Sequence, residues 1–217
     1  KLKLKKSAEL LIRNKEQYAN LMAEEMGKPF LQGQGEIEKC AWVCEFYAKQ
    51  AKSYLAPDIV KTDATKSFIS YEPLGIVLAV MPWNFPFWQV FRCAAPTLMA
   101  GNAMILKHAS NVSGCALAIE EIFEKVKFPE GLFRSVLIGN EKVGGLIEHP
   151  LVAAVTLTGS VRAGKAIASQ AGAVVKKTVL ELGGSDPYII LEDADLNKAA
   201  ETCAASRMIN GGQSCVS

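Results

Sequence analysis

Histidine and cysteine are scarce in this sequence. Its 217 residues contain two histidines, His108 and His149, and six cysteines, none of which form a C-x-x-C pair. Zinc sites are built mainly from closely spaced histidines and cysteines, so no metal site is expected. Six cysteines are also too few for a small disulfide-stabilised scaffold, and reduced thiols in a cytoplasmic location are expected.

An excess of charge of one sign and long hydrophobic runs are also missing. The 24 basic and 22 acidic side chains leave a formal net charge of +2, so no broad basic face and no nucleic-acid partner are expected. The longest apolar run, Leu74 to Trp83, is far shorter than the ~20 residues of a membrane-spanning helix, and no membrane partner is expected. Half of the residues are hydrophobic, enough for one large domain or two small ones.

Both ends of the sequence suggest a fragment. It begins at Lys1 without a methionine and stops at Ser217 directly after a dense motif. We expect a chain truncated at both ends, or part of a longer polypeptide.

Hydrophobic spacing predicts helices in the first quarter of the chain. Apolar residues recur at helical spacing from Leu11 to Met26, and Gly27 with Pro29 predicts the end of that helix. A second amphipathic helix is predicted over residues 37–51. Residues 57–73 are predicted to form two short extended segments around a polar turn, with too little apolar content for a core sheet.

From Leu74 onward, strand and helix patterns alternate. Apolar strands are predicted at Gly75–Met81, Ala103–Lys107, Arg134–Ile138, Val152–Thr158, Lys177–Glu181 and Tyr188–Leu191. Helices are predicted at Phe87–Met99, Val112–Lys127, Glu141–His149, Arg162–Ala171 and Leu196–Ile209. This alternation predicts an α/β fold with a doubly wound parallel sheet, in which ligands bind at the carboxyl ends of the strands.

The segment from Gly159 to Ala166 nearly matches the phosphate loop G-x-x-x-x-G-K-[ST]. Its last position is alanine, which lacks the hydroxyl that binds magnesium, so a nucleotide hydrolase is not expected. Backbone N–H groups at a helix N-terminus after Thr158 can still hold an anionic pyrophosphate. A strand-to-helix turn without a ligand is the alternative.

Three further motifs carry candidate chemistry. Cys215 follows two glycines and is either a nucleophile or a small buried side chain. Glu181 ends an apolar strand before two glycines and is either a general base or a turn acid. Asn84 lies between Pro82 and Pro86, where its amide can stabilise an oxyanion or simply belong to a rigid turn.

Together these motifs resemble the signature set of the aldehyde dehydrogenase family, in the family's order. The matching segments are Pro82–Pro86, Lys107–Ser110, Thr158–Ser160, Glu181–Gly184 and Asn210–Cys215. The resemblance runs along essentially the whole chain. Within the family, Pro82–Arg92 and Gly183–Pro187 look most like succinate-semialdehyde dehydrogenases.

The resemblance implies a covalent oxidation of an aldehyde to a carboxylic acid. Cys215 would attack the aldehyde carbon, and the Asn84 amide with the Cys215 backbone N–H would hold the oxyanion. Hydride would pass to a nicotinamide cofactor, and Glu181 would activate the water that hydrolyses the Cys215 thioester. This chemistry needs a Glu181 carboxylate that is not permanently paired, which fits the absence of an adjacent Arg or Lys in the sequence.

The resemblance also implies the cofactor and substrate contacts. The cofactor residues would be Lys107, Ser110, Trp83, Pro82, Gly159, Ser160 and Leu182. Many NAD-preferring members carry Glu where this chain has Ser110, so NADP is expected to be accepted, with NAD as the alternative. Arg92 would bind the carboxylate of succinate semialdehyde, or instead pair with a neighbouring acid.

The implied organisation is a cofactor domain over residues 1–182, interrupted by an oligomerisation arm at 57–73, and the beginning of a catalytic domain at 183–217. A homo-oligomer, dimer or tetramer, and a small aldehyde are the expected partners. Two other functions stay open. One is an inactive half serving as a binding module, since the isolated 217 residues are expected to have little activity; the other is a CoA-acylating aldehyde dehydrogenase.

Overall fold

A computed structural model describes residues 1–216 of the chain and begins with three helices. They are α1 (Leu2–Arg13), α2 (Lys15–Met26) and α3 (Phe30–Tyr54). The single helix predicted before Gly27 is two helices, because Asn14 (φ −107°, ψ 18°) leaves helical geometry between them. Gly27 has φ 73°, a left-handed conformation that glycine adopts without strain, and it ends α2 as predicted.

A small antiparallel hairpin follows, with strands β1 (Asp58–Ile59) and β2 (Phe68–Ile69). In the part of the chain that the structure describes, these strands pair only with each other. The two short extended segments expected here are therefore confirmed. Their use as an oligomerisation arm stays a prediction.

A five-stranded parallel sheet forms the centre of the fold. Its strands are β3 (Ile76–Met81), β4 (Ala103–His108), β5 (Phe133–Ser135), β6 (Val152–Gly159) and β7 (Lys177–Leu182), in the order β5-β4-β3-β6-β7. The connecting helices are α4 (Trp88–Met99), α5 (Ser113–Lys125), α6 (Val143–Glu148) and α7 (Val161–Ala173), and α8 (Leu196–Arg207) follows β7. The predicted doubly wound α/β fold is confirmed.

Hydrophobic cores cover both faces of the central strands of this sheet, while the edge strand β7 is largely exposed. Ala79 and Met81 of β3 belong to the larger core, with α1 to α5, while Leu78 belongs to the smaller core, with α6 and α7. Alternate residues of one strand thus face different cores. This explains why the strands are continuous apolar runs rather than alternating patterns.

The sixth predicted strand, Tyr188–Leu191, is wrong. These residues have no regular secondary structure, and Ile189 is 81% exposed. A strand needs a neighbour to accept and donate its backbone hydrogen bonds. None of the strands in residues 1–216 lies beside this segment.

The strand order reverses between β3 and β6. From β3 the chain crosses to β4 and β5 on one side, and it later returns to β6 and β7 on the other. This reversal opens a crevice at the carboxyl ends of β3 and β6, where doubly wound folds bind ligands. None of the helices within residues 1–216 is long and apolar enough to cross a membrane.

Candidate active site

A cleft of about 400 Å³ lies at the carboxyl ends of β3, β6 and β7. Nine of the eleven residues predicted to form the site line it: Pro82, Trp83, Asn84, Arg92, Gly159, Ser160, Glu181, Leu182 and Cys215. The other lining residues are Gln89, Thr158, Gly183, Gly184, Gln213 and Ser214. The structure therefore brings the candidate nucleophile, carboxylate and amide to one place, although 131 residues separate Asn84 from Cys215.

The Asn84 loop connects β3 to α4. The Asn84 side chain reaches the segment that ends at Cys215, where its Nδ2 donates a hydrogen bond of 2.9 Å to the Gln213 carbonyl oxygen. An amide nitrogen carries two hydrogens, so one remains available for a ligand in the cleft. The rigid turn between Pro82 and Pro86 thus presents a donor beside the candidate nucleophile.

Cys215 follows a tight turn that begins after α8. Asn210, Gly211 and Gly212 all have positive φ, at 57°, 62° and 77°. Glycine adopts this left-handed region without a Cβ penalty, which accounts for the two glycines before Cys215. The Cys215 thiol is half-buried in the cleft, whereas Cys40 is fully buried in the larger core.

Arg92 and Glu181 form an ion pair in the cleft. Arg92 Nη1 lies 3.5 Å from Glu181 Oε2, and Arg92 Nη2 donates a 2.9 Å hydrogen bond to Thr158 Oγ1. No cation is adjacent to Glu181 in the sequence, but the fold brings Arg92 of α4 to it from 89 residues away. Arg92 thus pairs with an acid, which was the alternative interpretation of this residue. The pair is solvent-exposed, and such pairs contribute only ~0–1 kcal/mol, so a ligand can displace it.

The N-terminus of α7 faces the same cleft through Gly159 and Ser160. Ser160 is the N-cap residue, and its Oγ accepts a hydrogen bond of 3.2 Å from the Ala163 N–H. No acidic residue lies in the first turn of α7. The free N–H groups and the helix dipole therefore suit the phosphates of a dinucleotide.

Lys107 and Ser110 do not line the cleft. Lys107 is the next-to-last residue of β4 and Ser110 follows the strand, and because β4 neighbours β3 both lie at the same edge of the sheet. Lys107 is 6% exposed, and its Nζ donates a 2.6 Å hydrogen bond to Asn140 Oδ1. Burial lowers the pKa of Lys107, while Glu141 acts in the opposite direction. Ser110 is exposed at the beginning of a short 3₁₀ turn.

His108 connects the end of β4 to the Asn84 loop. Its Nε2 lies 2.9 Å from the Pro86 carbonyl oxygen, and its Nδ1 lies 3.0 Å from the Ala109 backbone nitrogen and 3.2 Å from the Met81 carbonyl oxygen. Burial lowers the pKa of His108, and the native state therefore favours the neutral ring.

This burial predicts a loss of stability at acidic pH. Below pH ~6.5, the ordinary histidine pKa, the unfolded chain binds a proton that buried His108 resists. The free energy of unfolding should fall as pH decreases from 6.5, by up to about 1.4 kcal/mol per pH unit from this residue. Urea unfolding of the native protein between pH 7 and 5 measures this slope.

His108→Gln should flatten that part of the pH dependence, because glutamine does not titrate. The matched control is His149→Gln, which removes an exposed histidine elsewhere in the chain and leaves His108 in place. Equal slopes for the wild type and His108→Gln would contradict the assignment.

Sequence reasoning missed several residues around the cleft. Gln89 and Gln213 line it, and each keeps a buried side-chain oxygen without a hydrogen-bond partner among residues 1–216. Lys28 and Glu36 lie behind it as a buried ion pair of 2.7 Å. One signal was present, since Glu36 lies one helical turn before Cys40, on the buried stripe of α3. Within residues 1–216, no group of three or more His, Cys, Asp or Glu side chains is placed to hold a metal ion.

Comparison with known proteins gives the family. The profile described as the aldehyde dehydrogenase family matches residues 2–217. A probable succinate-semialdehyde dehydrogenase (NADP(+)) of Synechocystis is 57% identical over 213 residues, which are 98% of this chain and 47% of that protein. The succinate semialdehyde dehydrogenase (NAD(P)+) Sad of Escherichia coli is 46% identical, over 98% of this chain and 46% of that protein.

A solved structure shows the same fold. The succinic semialdehyde dehydrogenase from Streptococcus pyogenes, crystallised in complex with NADP+ as the cofactor, is 39% identical with a TM-score of 0.95. The match covers 98% of this chain and 47% of that one. This chain thus spans about half the length of the curated relatives it matches. Since the family profile covers nearly the whole sequence, the chain belongs to the aldehyde dehydrogenase family.

Proposed function

We propose that the native protein oxidises succinate semialdehyde to the dicarboxylic acid, with NADP or NAD as the cofactor. The observation that carries this proposal is the single cleft that holds Cys215, Glu181 and Asn84 at the carboxyl edge of the sheet. These are a nucleophile, a base and an oxyanion donor, the three groups that covalent aldehyde oxidation requires. The names of the relatives support the substrate and cofactor class.

The first step uses the thiolate of Cys215, which attacks the aldehyde carbon. The developing oxyanion accepts hydrogen bonds from the free Asn84 Nδ2 hydrogen and from the Cys215 backbone N–H. Loss of one such donor costs ~2.7–4 kcal/mol of barrier in other enzymes. The Gln213 bond fixes the Asn84 side chain before substrate arrives, so little reorganisation is needed.

The cofactor would be held by this chain's own anion-binding groups. The N-terminus of α7 with Ser160 suits its pyrophosphate, and Lys107 suits its ribose. Ser110 carries no negative charge, so it does not repel a 2′-phosphate. A bound nicotinamide ring supplies the acceptor for the hydride that leaves the substrate carbon.

The second half of the reaction belongs to Glu181. After the hydride has left, the acyl group is bound to Cys215 as a thioester. Glu181 takes a proton from water, the resulting hydroxide attacks the thioester carbon, and the carbon–sulfur bond breaks to release the acid and the Cys215 thiolate. Glu181 then gives its proton to the solvent, and both groups are ready for the next cycle. A base in this role must be free to reach the water, which the weak exposed pair with Arg92 permits.

The product formed by the native protein tests this function. With succinate semialdehyde and NADP, the free acid should accumulate, and added coenzyme A should not divert the product to an acyl-CoA. Acyl-CoA formation would instead identify a CoA-acylating enzyme. An absence of turnover with both NADP and NAD would favour a binding module and overturn the proposal.

Arg92 is proposed to recognise the far carboxylate of the substrate. A guanidinium matches a carboxylate with two parallel hydrogen bonds, each charge-assisted bond being worth ~1.5–3 kcal/mol. Arg92→Ala should therefore raise KM for succinate semialdehyde by about 10- to 100-fold, while KM for butanal stays nearly constant. Steady-state kinetics with both aldehydes measure this difference.

Arg92→Ala also removes the ion pair with Glu181, and this loss affects the oxidation of both aldehydes equally. Butanal has no second carboxylate, so it serves as the internal control for the lost ion pair. Equal increases in KM for the two aldehydes would exclude a role for Arg92 in substrate recognition.

The domain organisation is proposed on the same basis. Residues 1–182 form the cofactor domain, interrupted by the hairpin segment 57–73, and residues 183–217 begin a catalytic domain, of which Ser217 lies outside the described residues. The hairpin exposes Ile59 and Phe68, at 74% and 50%. Such apolar exposure supports burial of this arm between subunits of a homo-oligomer.

A further inference from the structure

Lys28 lies in the turn between α2 and α3 and is 2% exposed. Its Nζ contacts Glu36 Oε2 at 2.7 Å, the Asn84 carbonyl oxygen at 3.0 Å and Asn210 Oδ1. A lysine ammonium has three hydrogens, and these three acceptors use all of them. The ammonium also lies 4.1 Å from the centre of the Phe85 ring.

Glu36 continues this network at the end of the Asn84 loop, where α4 begins. Its Oε1 accepts hydrogen bonds of 2.8 Å from the backbone N–H groups of Phe87 and Trp88. These groups begin α4, where the unpaired N–H groups of a helix need acceptors. Lys28 therefore holds the loop at the Asn84 carbonyl oxygen, and Glu36 holds it three residues later at the Phe87 N–H group.

Asn210 connects the network to the Cys215 segment. Its Nδ2 donates a 2.7 Å hydrogen bond to the Asn84 carbonyl oxygen, and its backbone N–H donates a 2.6 Å bond to Gln32 Oε1. Asn210 has φ 57°, a conformation that costs energy for a residue other than glycine and persists only where its surroundings impose it. The Asn84 carbonyl thus accepts from both Lys28 and Asn210.

We propose that Lys28, paired with Glu36, is a positioning residue that sets the distance between the two oxyanion donors, the Asn84 amide and the Cys215 backbone N–H. It touches neither donor directly and acts through the Asn84 carbonyl and the Asn210 side chain. The inference rests on the proposed aldehyde oxidation, in which these two groups hold one oxygen atom.

The burial of the pair favours positioning over a contribution to stability. Removing two charges from water largely cancels their attraction, so a buried ion pair can often be replaced by neutral side chains without loss of stability. A side chain such as methionine cannot replace the Lys28 ammonium, which donates hydrogen bonds both to the Asn84 carbonyl oxygen and to the Asn210 side chain. Misplacement of a reacting group by 1 Å can cost 100-fold in rate.

The test uses the native protein with both charges removed. In Lys28→Met/Glu36→Gln, the glutamine oxygen can still accept the hydrogen bonds of the Phe87 and Trp88 N–H groups. Because both partners of the ion pair become neutral, the variant buries no unpaired charge. The matched control is Lys15→Met/Glu38→Gln, which removes a more exposed pair of 2.8 Å between α2 and α3. Thermal unfolding, steady-state kinetics and peptide-resolved hydrogen exchange are measured for both.

We expect the buried double variant to keep its thermal midpoint and to lose at least 10-fold in kcat for succinate semialdehyde, with KM changed less than threefold. Hydrogen exchange should become faster in the segments 82–88 and 209–215 and stay unchanged in the sheet. The control should match the wild type in every measurement. A purely structural role would lower the thermal midpoint without this selective loss of kcat.

A second variant keeps the test decisive if the double variant does not fold. Asn210→Gly keeps the Lys28–Glu36 pair and tolerates positive φ, but it removes the side chain that Lys28 contacts. It should also lose at least 10-fold in kcat. Full kcat in a folded variant would overturn the inference, whereas an inactive wild type would overturn the proposed function instead.

Discussion

Cys215→Ser should abolish aldehyde oxidation by the native protein. A serine hydroxyl is far less ionised than a thiol at neutral pH, and none of the described residues that line the cleft is a histidine that could activate it. Removal of a covalent nucleophile in other enzymes costs up to ~10⁶-fold in kcat, and we expect a loss of at least about 10⁴-fold here. Acid formation from succinate semialdehyde, followed by a product assay, measures it.

The matched control is Cys203→Ser. Cys203 is also a half-buried free cysteine, but it lies on α8, outside the cleft. This variant should keep the wild-type kcat. Cofactor binding should be unchanged in both variants, because neither thiol belongs to the N-terminus of α7, where the cofactor phosphates are proposed to bind. Substantial activity in Cys215→Ser would contradict the covalent mechanism.

The sequence predicts the fold well where the local pattern and the tertiary packing agree. The strands β3, β4 and β6 are continuous apolar runs because both faces are covered, and their positions follow from the sequence to within one residue. The strand predicted at Tyr188–Leu191 has the same apolar pattern, but within residues 1–216 it pairs with no strand. An apolar run indicates burial potential, and only the fold decides whether a partner strand exists.

The cleft was predictable because its residues follow the ends of strands. Asn84 lies three residues after β3, Ser160 directly after β6, and Glu181 is the next-to-last residue of β7. Parallel strands bring their carboxyl ends to one edge of the sheet. The sequence suggested that Arg92 could pair with an acid but not that this acid is Glu181, because the partner depends on which side of the sheet α4 packs. The Lys28 network joins four separate segments, and no local spacing encodes it.

Glu181→Gln should separate the two halves of the proposed reaction. Glutamine keeps the size of the side chain but cannot accept a proton from water, so hydrolysis of the Cys215 thioester should slow while its formation continues. General bases contribute 10²- to 10⁴-fold, and the steady rate of acid release should fall by about that factor. Mass spectrometry of the quenched protein should show the acyl group on the peptide that contains Cys215.

The control for this variant is Glu192→Gln, because Glu192 is an exposed carboxylate that does not line the cleft. It should release acid at the wild-type rate and accumulate no acyl group. A small thiol added to Glu181→Gln should remove the acyl group by exchange, since that attack needs no carboxylate on the enzyme. If Glu181→Gln releases acid slowly but carries no acyl group, the carboxylate acts before the thioester forms, and its role as the hydrolytic base is wrong.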